Sequence, residues 1–229
     1  MKSTNEEFAK IFDGIASHYN EISNPYIVSI RKNIFANWAE GKCIEVGAGT
    51  GEISRFLSQK YKVVATDISP QMVSEIKKRG IEAYVCDAEK LPFPNESFDT
   101  VISAEVIFYL DNPEKFISEA NRVLKPGGRL LISCASNFPG KFYDKLRSTL
   151  RNLGIGGMYF DEDTLGEFMS VPKLKKMIVK NNFSIVEIKK SPVLPIASLT
   201  RLNKLLEKTL LHHFGIFIFT YAQKPIKAE

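Results

Sequence analysis

The sequence is poor in the two residue types that build disulfide frameworks and metal centres, with three cysteines and three histidines in 229 residues. Cys43, Cys86 and Cys134 are odd in number and far apart, which argues against a disulfide framework and favours a reducing compartment. No cysteine or histidine cluster has the spacing of metal ligands, so we expect no metal site. A chain of this length buries about 70% of its unfolded surface and needs no cross-links to hold a core.

Long hydrophobic runs are missing as well. The charge-free stretch Leu211–Gln223 near the C-terminus is shorter than the roughly 20 apolar residues that span a bilayer. The segment 1–20 alternates charged and apolar side chains and lacks the apolar core of a signal peptide. We therefore expect a cytoplasmic protein without a transmembrane segment.

Neither sign of charge dominates the chain. Lys and Arg number 31 against 26 Asp and Glu, which gives a formal net charge of +5 that is spread along the sequence. Hydrophobic residues make up 44% and charged residues 25%, which excludes a fibrous or wholly disordered chain. The mild basic excess permits an anionic substrate or a membrane surface. It does not indicate nucleic acid, because no basic stripe with interleaved aromatic residues is present.

Hydrophobic periodicity predicts two helices within 1–40, the second beginning at Asn24-Pro25, and then an alternation of strands and helices. The strand candidates are Cys43–Val46, Tyr61–Thr66, Glu82–Cys86, Thr100–Ser103 and Arg129–Cys134, and the helix candidates are Glu52–Gln59, Pro70–Arg79 and Pro113–Leu124. Lys125-Pro126-Gly127-Gly128 is expected to end the last of these helices. Such alternation predicts right-handed crossovers and a mostly parallel sheet that is covered on both faces.

The segment 136–172 interrupts this alternation and is our candidate for an inserted lid or substrate cap. The rest of the chain is predicted to form two further helices and two further strands, whose order in the sheet the periodicity leaves open. These elements are a helix at Lys173–Lys180, a strand at Phe183–Lys189, a helix at Ser198–Leu211 and a strand at Phe214–Ala222.

A glycine-rich segment, Glu45–Gly51, lies at the end of the first strand and opens a helix. Glycines there allow a tight turn and a close approach of the backbone to a ligand. The spacing is G-x-G-x-G, whereas the dinucleotide fingerprint is G-x-G-x-x-G and would need a glycine where Glu52 stands. Glu45 is also a poor neighbour for a pyrophosphate and a reasonable one for a cationic ligand. Both features disfavour a nicotinamide oxidoreductase.

Two further carboxylates follow strands at regular spacing. The interval along the chain from Gly47 to Asp67 equals the interval from Asp67 to Asp87. In a doubly wound sheet the ligand lies outside the carboxyl ends of the strands, so these acids are expected to face one crevice. Asp67 is placed to accept hydrogen bonds from a ribose diol, and Asp87 can accept one from an exocyclic amine such as that of adenine.

Taken in order, these segments resemble the class I S-adenosylmethionine-dependent methyltransferases. The chain is most similar to the small-molecule group that contains the ubiquinone and menaquinone C-methyltransferases. The matching stretches are Glu45–Gly51 (the family's first motif), Val64–Ile68 (its ribose-binding segment), Cys86-Asp87-Ala88 (its adenine-binding segment), Leu91–Asp99 (similar to LPFxDxSFD) and Arg122–Gly128 (similar to RVLKPGG). Phe12–Asn20 resembles a further motif of the family, in which a tyrosine, here Tyr19, is expected to close over the cofactor.

The resemblance implies a Rossmann-like α/β fold, a doubly wound and mostly parallel seven-stranded sheet with helices on both faces and an antiparallel last strand. It implies a single methyltransferase domain over 1–229, with N-terminal helices over the cofactor site (1–40), a cofactor-binding core (41–135), the lid or substrate insertion (136–172) and the C-terminal part of the sheet (173–229). The implied cofactor is S-adenosylmethionine, with S-adenosylhomocysteine as product. The implied cofactor-binding residues are Tyr19, Glu45, Gly47, Ala48, Gly49, Asp67, Ile68, Met72, Asp87, Ala88 and Ser103.

The resemblance also implies an in-line displacement in which the cofactor supplies the activated carbon. The leading hypothesis is a small-molecule or lipid-like methyl acceptor. A carbon or phenol nucleophile also needs a base, and no candidate for it has a motif behind it. These candidates are His18, Tyr19, Glu105, Tyr109, Tyr143, His212 and His213. Family members often have a histidine near position 108 or 109, where this chain has Phe108-Tyr109.

Two alternatives stay open. One is an RNA or DNA methyltransferase, although Ser103-Ala104-Glu105-Val106 stands where base-amine methyltransferases usually have [N/D]-P-P-[F/Y/W]. The other is a non-catalytic module that only binds S-adenosylmethionine. The identity of the acceptor, the choice among O-, N- and C-methylation and the oligomeric state are all left open by the sequence.

Overall fold

The computed structural model describes residues 5–139, 142, 145, 168–193 and 199–226. Its centre is a seven-stranded sheet in the order β3-β2-β1-β4-β5-β7-β6. The strands are β1 (Cys43–Val46), β2 (Val63–Asp67), β3 (Glu82–Val85), β4 (Phe98–Ala104), β5 (Leu124–Ala135), β6 (Ser184–Ser191) and β7 (Phe217–Gln223). The first five pair in parallel, and β7 runs antiparallel to both β5 and β6. The predicted fold is thus confirmed, and β7 is found inserted between β5 and β6.

The helices lie close to the predicted positions. They are α1 (Asn5–Ile15), α2 (Tyr19–Ile22), α3 (Pro25–Trp38), α4 (Glu52–Leu57), α5 (Pro70–Lys78), α6 (Pro113–Val123), α7 (Val171–Lys180) and α8 (Thr200–Leu206), with 3-10 helices at Ala16–His18 and Leu210–Phe214. None of the helices in the described ranges has the length and apolar character needed to cross a bilayer.

Four helices begin with the same local chemistry. Asn24, Ser69, Asn112 and Ser170 precede α3, α5, α6 and α7, and each side chain accepts a hydrogen bond from a backbone N–H of the first turn. A proline also stands in each first turn, where its missing N–H costs nothing. Caps of this kind contribute about 1 kcal/mol each. They fix where each helix begins, and the cap of α5 thereby fixes the loop that follows β2.

The core lies on both faces of the sheet. One face is covered by α6 and α7, where Phe116 and Ile178 are fully buried. The other face is covered by α3, where Phe35 and Trp38 are buried and the Phe35 ring lies 6.0 Å from that of Phe219 on β7. Helices on both faces leave the carboxyl edge of the parallel strands as the open side of the sheet.

Most predicted boundaries differ from the observed ones by no more than three residues, and two predicted elements differ more. The stretch Lys125–Gly128 ends α6 as expected but already belongs to β5, because Leu124 pairs with Phe98 before the register shifts. The predicted helix Ser198–Leu211 is interrupted after α8. Thr209 Oγ1 donates to the carbonyl of Leu206 (2.7 Å) and accepts from the Leu211 N–H (3.1 Å), which replaces helical hydrogen bonding at this point.

Most of the predicted lid segment 136–172 lies outside the described residues. Its two ends are part of the fold, since Ser136 forms a parallel bridge with Met169 and α7 starts at Val171. The assignment of the segment as a lid stays a prediction.

Candidate functional site

A pocket opens at the carboxyl ends of the parallel strands, with a volume of about 810 Å³ that includes its open mouth. Eight of the eleven residues that the sequence nominated for the cofactor line this pocket. They are Tyr19, Gly47, Gly49, Asp67, Ile68, Met72, Asp87 and Ala88. The loops after three different strands therefore meet at one place, although the cofactor contact of each residue stays a prediction.

The loop after β1 has a backbone that only glycine accommodates well. Gly47, Gly49 and Gly51 have φ angles of +70°, +55° and +79°. A Cβ on Gly47 would lie 2.3 Å from a methyl carbon of Val106, and one on Gly49 would lie 3.4 Å from the ring of Tyr19. The loop thus lies directly against the residues that follow β4 and against the N-terminal segment.

Asp67 connects this glycine loop to the loop after β2. Its carboxylate accepts hydrogen bonds from the backbone N–H groups of Gly49 (2.8 Å) and Ser69 (3.0 Å). Burial raises the pKa of Asp67 to about 6, against the lowering effect of these backbone donors. A carboxylate oxygen has more than one lone pair, so Asp67 can accept further hydrogen bonds from a ligand in the pocket.

Asp87 lies at the far end of the pocket, after β3. It accepts from the Glu89 N–H (2.8 Å) and from the side-chain amide of Asn5 in α1 (3.2 Å). Three apolar residues, Ile68, Met72 and Ala88, line the same pocket. A flat apolar ring with a polar edge suits a lining that combines such residues with carboxylates.

Three nominated residues do not line the pocket. Glu45 is buried beneath the loop and accepts a hydrogen bond from Ser54 of α4, and burial raises its pKa to about 8. Ala48 packs in the small cluster under α5, and Ser103 is fully buried on β4 with no hydrogen-bond partner for its hydroxyl among the described residues. Strand alternation could have indicated the position of Glu45, because it shares a face of β1 with Cys43, which packs against α3.

A charged pair lines the pocket beside the glycine loop, formed by Glu105, which the sequence named as a candidate base, and by Arg31, which it did not name. A guanidinium nitrogen of Arg31 on α3 lies 3.4 Å from Glu105, whose carboxylate also accepts from Ser133 Oγ (2.8 Å). Glu105 has a φ of +60°, unusual for a residue with a side chain. Burial raises the pKa of Glu105, and the charge of Arg31 acts against that rise. Arg31 was missed because it stands in an amphipathic helix without any motif.

Aromatic side chains of the N-terminal segment cover the pocket. The ring of Tyr109 lies 5.0 Å from that of Phe8 and 5.4 Å from that of Phe12. Burial raises the pKa of both Tyr19 and Tyr109, so both phenols are neutral near pH 7. Phe8, Phe12, Tyr19 and Tyr109 all line the pocket, as does Glu105.

Polar contacts attach this cover to the sheet. Asp13 accepts from Ser69 Oγ and from the backbone N–H of Gln71 (3.1 Å), at the start of α5. Asn20 accepts from Thr50 Oγ1 (2.6 Å), in the loop after β1. The N-terminal helices are therefore attached at the glycine loop and at the loop after β2.

The candidate bases separate into two groups. Glu105, Tyr19 and Tyr109 line the pocket, whereas His18 and His213 are not among its lining residues. Tyr143 and the side chain of His212 lie outside the described residues. Within the described ranges no three His, Cys, Asp or Glu side chains are grouped so as to hold a metal ion.

Known proteins share both sequence and fold with this chain. A family model described as a methyltransferase domain matches residues 44–132. An uncharacterized protein of Methanocaldococcus jannaschii is 30% identical over 176 residues, which covers 75% of this chain and 82% of that protein. A ubiquinone/menaquinone biosynthesis C-methyltransferase UbiE of Bartonella bacilliformis is 32% identical over 193 residues, which covers 75% of this chain and 68% of that protein. Another relative with this name, from Desulfotalea psychrophila, is covered over 54% of its length.

A solved S-adenosylmethionine-dependent methyltransferase from Thermotoga maritima has the same fold. It matches with a TM-score of 0.68 at 23% identity, covering 94% of this chain and 99% of that chain. The family model runs from β1 into β5 and so includes the loops after β1, β2, β3 and β4. The chain therefore belongs to the class I S-adenosylmethionine-dependent methyltransferases.

Proposed function

We propose that this methyltransferase methylates a small, hydrophobic acceptor, and that a reduced quinone-type aromatic ring is the first acceptor to test. The observation that carries the proposal is the group of aromatic rings, Phe8, Phe12 and Tyr109, that lines the pocket. Flat apolar walls suit an aromatic ring. Relatives named for ubiquinone and menaquinone C-methylation support the same class of acceptor.

The residues of the pocket fit S-adenosylmethionine. We assign Asp67 to the ribose diol, the apolar wall of Ile68, Met72 and Ala88 to the adenine ring, and Asp87 to the adenine edge. The tail of the cofactor carries both a carboxylate and an ammonium group. Arg31 and Glu105, opposite charges beside the glycine loop, match these two groups, and we assign the tail to them.

When bound, the cofactor supplies the electrophilic methyl group. The work left to the protein is to exclude water and to hold the acceptor in line with that group. Correct orientation alone can supply on the order of 7–11 kcal/mol in well-aligned cases. We assign the exclusion of water to Phe8 and Phe12. The rings of Phe8, Phe12 and Tyr109 contact one another, and we assign the placement of the acceptor to the wall that they form together.

The acceptor class is tested with methyl-labelled S-adenosylmethionine and three acceptors: a short-chain demethylmenaquinol analogue, a catechol and total RNA. We expect label in the extracted quinol product together with an equal amount of S-adenosylhomocysteine. Asp67→Ala should reduce this turnover, whereas the exposed control Arg55→Gln should not. Label in RNA alone would replace the proposal with nucleic-acid methylation. Cofactor binding without transfer to any small molecule would contradict it as well.

Replacing Arg31 by glutamine is expected to weaken S-adenosylmethionine binding by about 10- to 150-fold, the usual loss for hydrogen bonds to a charged group. Calorimetric titration of the wild type and of Arg31→Gln measures this change. 5′-Methylthioadenosine, which lacks the charged tail, should bind both proteins equally. An equal loss for both ligands would show that Arg31 does not contact the tail.

A further inference from the structure

The segment between β6 and β7 exposes leucines and buries an amide. In α8 and the following 3-10 helix, Leu205 is 62% exposed and Leu210 is 82% exposed, whereas Asn203 is only 2% exposed. A helix that packs on a protein core shows the opposite pattern, with leucine inside and asparagine outside. The apolar side of this segment therefore faces away from the protein.

Specific contacts fix this orientation. Asn203 donates from its side-chain amide to the hydroxyl of Tyr26 at the start of α3 (2.8 Å). Glu207 accepts a hydrogen bond from Ser191 at the end of β6. Rotating the helix to bury its leucines would break both contacts and leave polar groups without partners. The outward leucines are thus a feature of the packed segment.

We call the exposed apolar residues of this segment the leucine patch. It consists of Leu202, Leu205, Leu210, Leu211 and Phe214. The ring of the exposed Phe138 lies 5.6 Å from that of Phe214 and extends the patch toward the end of β5. Exposed apolar side chains that are concentrated in one segment indicate an interaction site, whereas singly scattered ones are normal.

Basic side chains stand between the leucines. Arg201, Lys204 and Lys208 are exposed, and none of them forms an ion pair with the described part of the chain. Glu207 is the only acidic residue between positions 199 and 215, and it is engaged with Ser191. Leucines on one side and unpaired lysines or arginines beside them are the composition of a segment that lies in the interface of an anionic bilayer.

A second copy of the chain fits this surface less well. In a twofold dimer the same patch meets itself, so Arg201, Lys204 and Lys208 of one copy would approach the same cations of the other. Lipid headgroups carry the opposite charge and neutralise these side chains. The charge of the patch therefore selects lipid over self-association.

The patch lies at the same edge of the sheet as the pocket. The segment connects the end of β6 at Ser191 to the start of β7 at Phe217, and the Arg31 guanidinium lies 4.8 Å from the centre of the Phe217 ring. Arg31 itself lines the pocket. We propose that the leucine patch and its basic residues dock this protein on the surface of an anionic lipid bilayer and hold the pocket next to the membrane.

Co-sedimentation with lipid vesicles tests this docking without cofactor or acceptor, so its outcome is independent of the proposed acceptor. The full chain is mixed with phosphatidylcholine vesicles that either contain or lack phosphatidylglycerol. We expect binding to the anionic vesicles that weakens as salt is raised, and much weaker binding to the neutral ones. A wild-type protein that stays in the supernatant with anionic vesicles would overturn the proposal.

Two paired variants separate the apolar and the charged contributions. Leu205→Ser with Leu210→Ser should reduce vesicle binding at least about tenfold, and Lys204→Glu with Lys208→Glu should reduce it by about fivefold per charge. Matched controls are Val179→Ser and Lys176→Glu on α7, which are exposed away from the patch and should bind as the wild type does. All variants should melt near the wild-type temperature, since only exposed side chains change.

Sedimentation analysis of the same proteins without lipid identifies the competing occupant. A wild-type dimer that the leucine variant converts to monomer would show that a second copy covers the patch and would overturn the proposal. Unchanged vesicle binding of the leucine variant would overturn it too. Loss of binding in both paired variants, with the controls unaffected, supports it.

Discussion

Gly47→Ala is expected to lower the melting temperature by roughly 4–20 °C and to abolish measurable S-adenosylmethionine binding. An alanine at the observed φ of +70° costs about 1–2 kcal/mol. Its Cβ would lie 2.3 Å from a methyl carbon of Val106, and overpacking of this kind costs about 1–3 kcal/mol more. For a domain of this size each kcal/mol lowers the melting temperature by about 2–4 °C. Moving the loop to relieve the clash also changes the wall of the pocket.

Two controls separate the clash from the loss of a glycine. Gly14 has no atom within 4 Å of an added Cβ and lies inside α1, so Gly14→Ala should be neutral or slightly stabilising. Val106→Ala removes the clashing methyl groups, and adding it to Gly47→Ala should recover part of the melting temperature. Thermal melts and calorimetry on the four proteins measure both effects. A Gly47→Ala protein that melts and binds like the wild type would show that the loop can move without cost.

Helices and strands whose signals lie within a short stretch of chain were predicted well from the sequence. The strand at Cys43–Val46 was predicted with its observed bounds, and the helix beginning at Pro113 ends one residue earlier than predicted. Both elements carry their own signals, a compact apolar run in one case and a capped amphipathic stripe in the other. The regular spacing of Gly47, Asp67 and Asp87 likewise predicted that they would share one pocket, because each follows a parallel strand.

Features that depend on contacts between distant segments were not predictable from one sequence. Arg31 meets Glu105 only because α3 packs over the carboxyl end of β4, and nothing local to either residue indicates the pair. The place of β7 between β5 and β6 is decided by pairing across the sheet in the same way. The break after α8 depends on the hydroxyl of Thr209, which hydrogen-bonds to the backbone in place of helical bonding. The leucines around Thr209 repeat at helical spacing, so the hydrophobic periodicity alone predicts an uninterrupted helix.

Asp67→Ala is expected to weaken S-adenosylmethionine binding by about 5- to 150-fold, corresponding to about 1–3 kcal/mol. The variant loses the carboxylate that we assign to the ribose diol. It also leaves the N–H groups of Gly49 and Ser69 without their buried acceptor, so the glycine loop itself is less well held. Calorimetric titration measures the affinity, and an unchanged dissociation constant would show that other residues hold the ribose.

The pH dependence of the same affinity distinguishes a direct role of Asp67 from a structural one. Burial raises the pKa of this carboxyl from 3.8 to about 6, so Asp67 becomes protonated as the pH falls through about 6. A protonated carboxyl is a weaker acceptor, and the dissociation constant of the wild type should therefore rise by up to about tenfold for each pH unit below that value. Asp67→Asn does not titrate at this position and should show a shallower profile, in which the remaining slope comes from Glu105, whose pKa burial also raises. If the variant kept the slope of the wild type, another group would be responsible for the pH dependence, and the loss in Asp67→Ala would have to come from the loosened glycine loop.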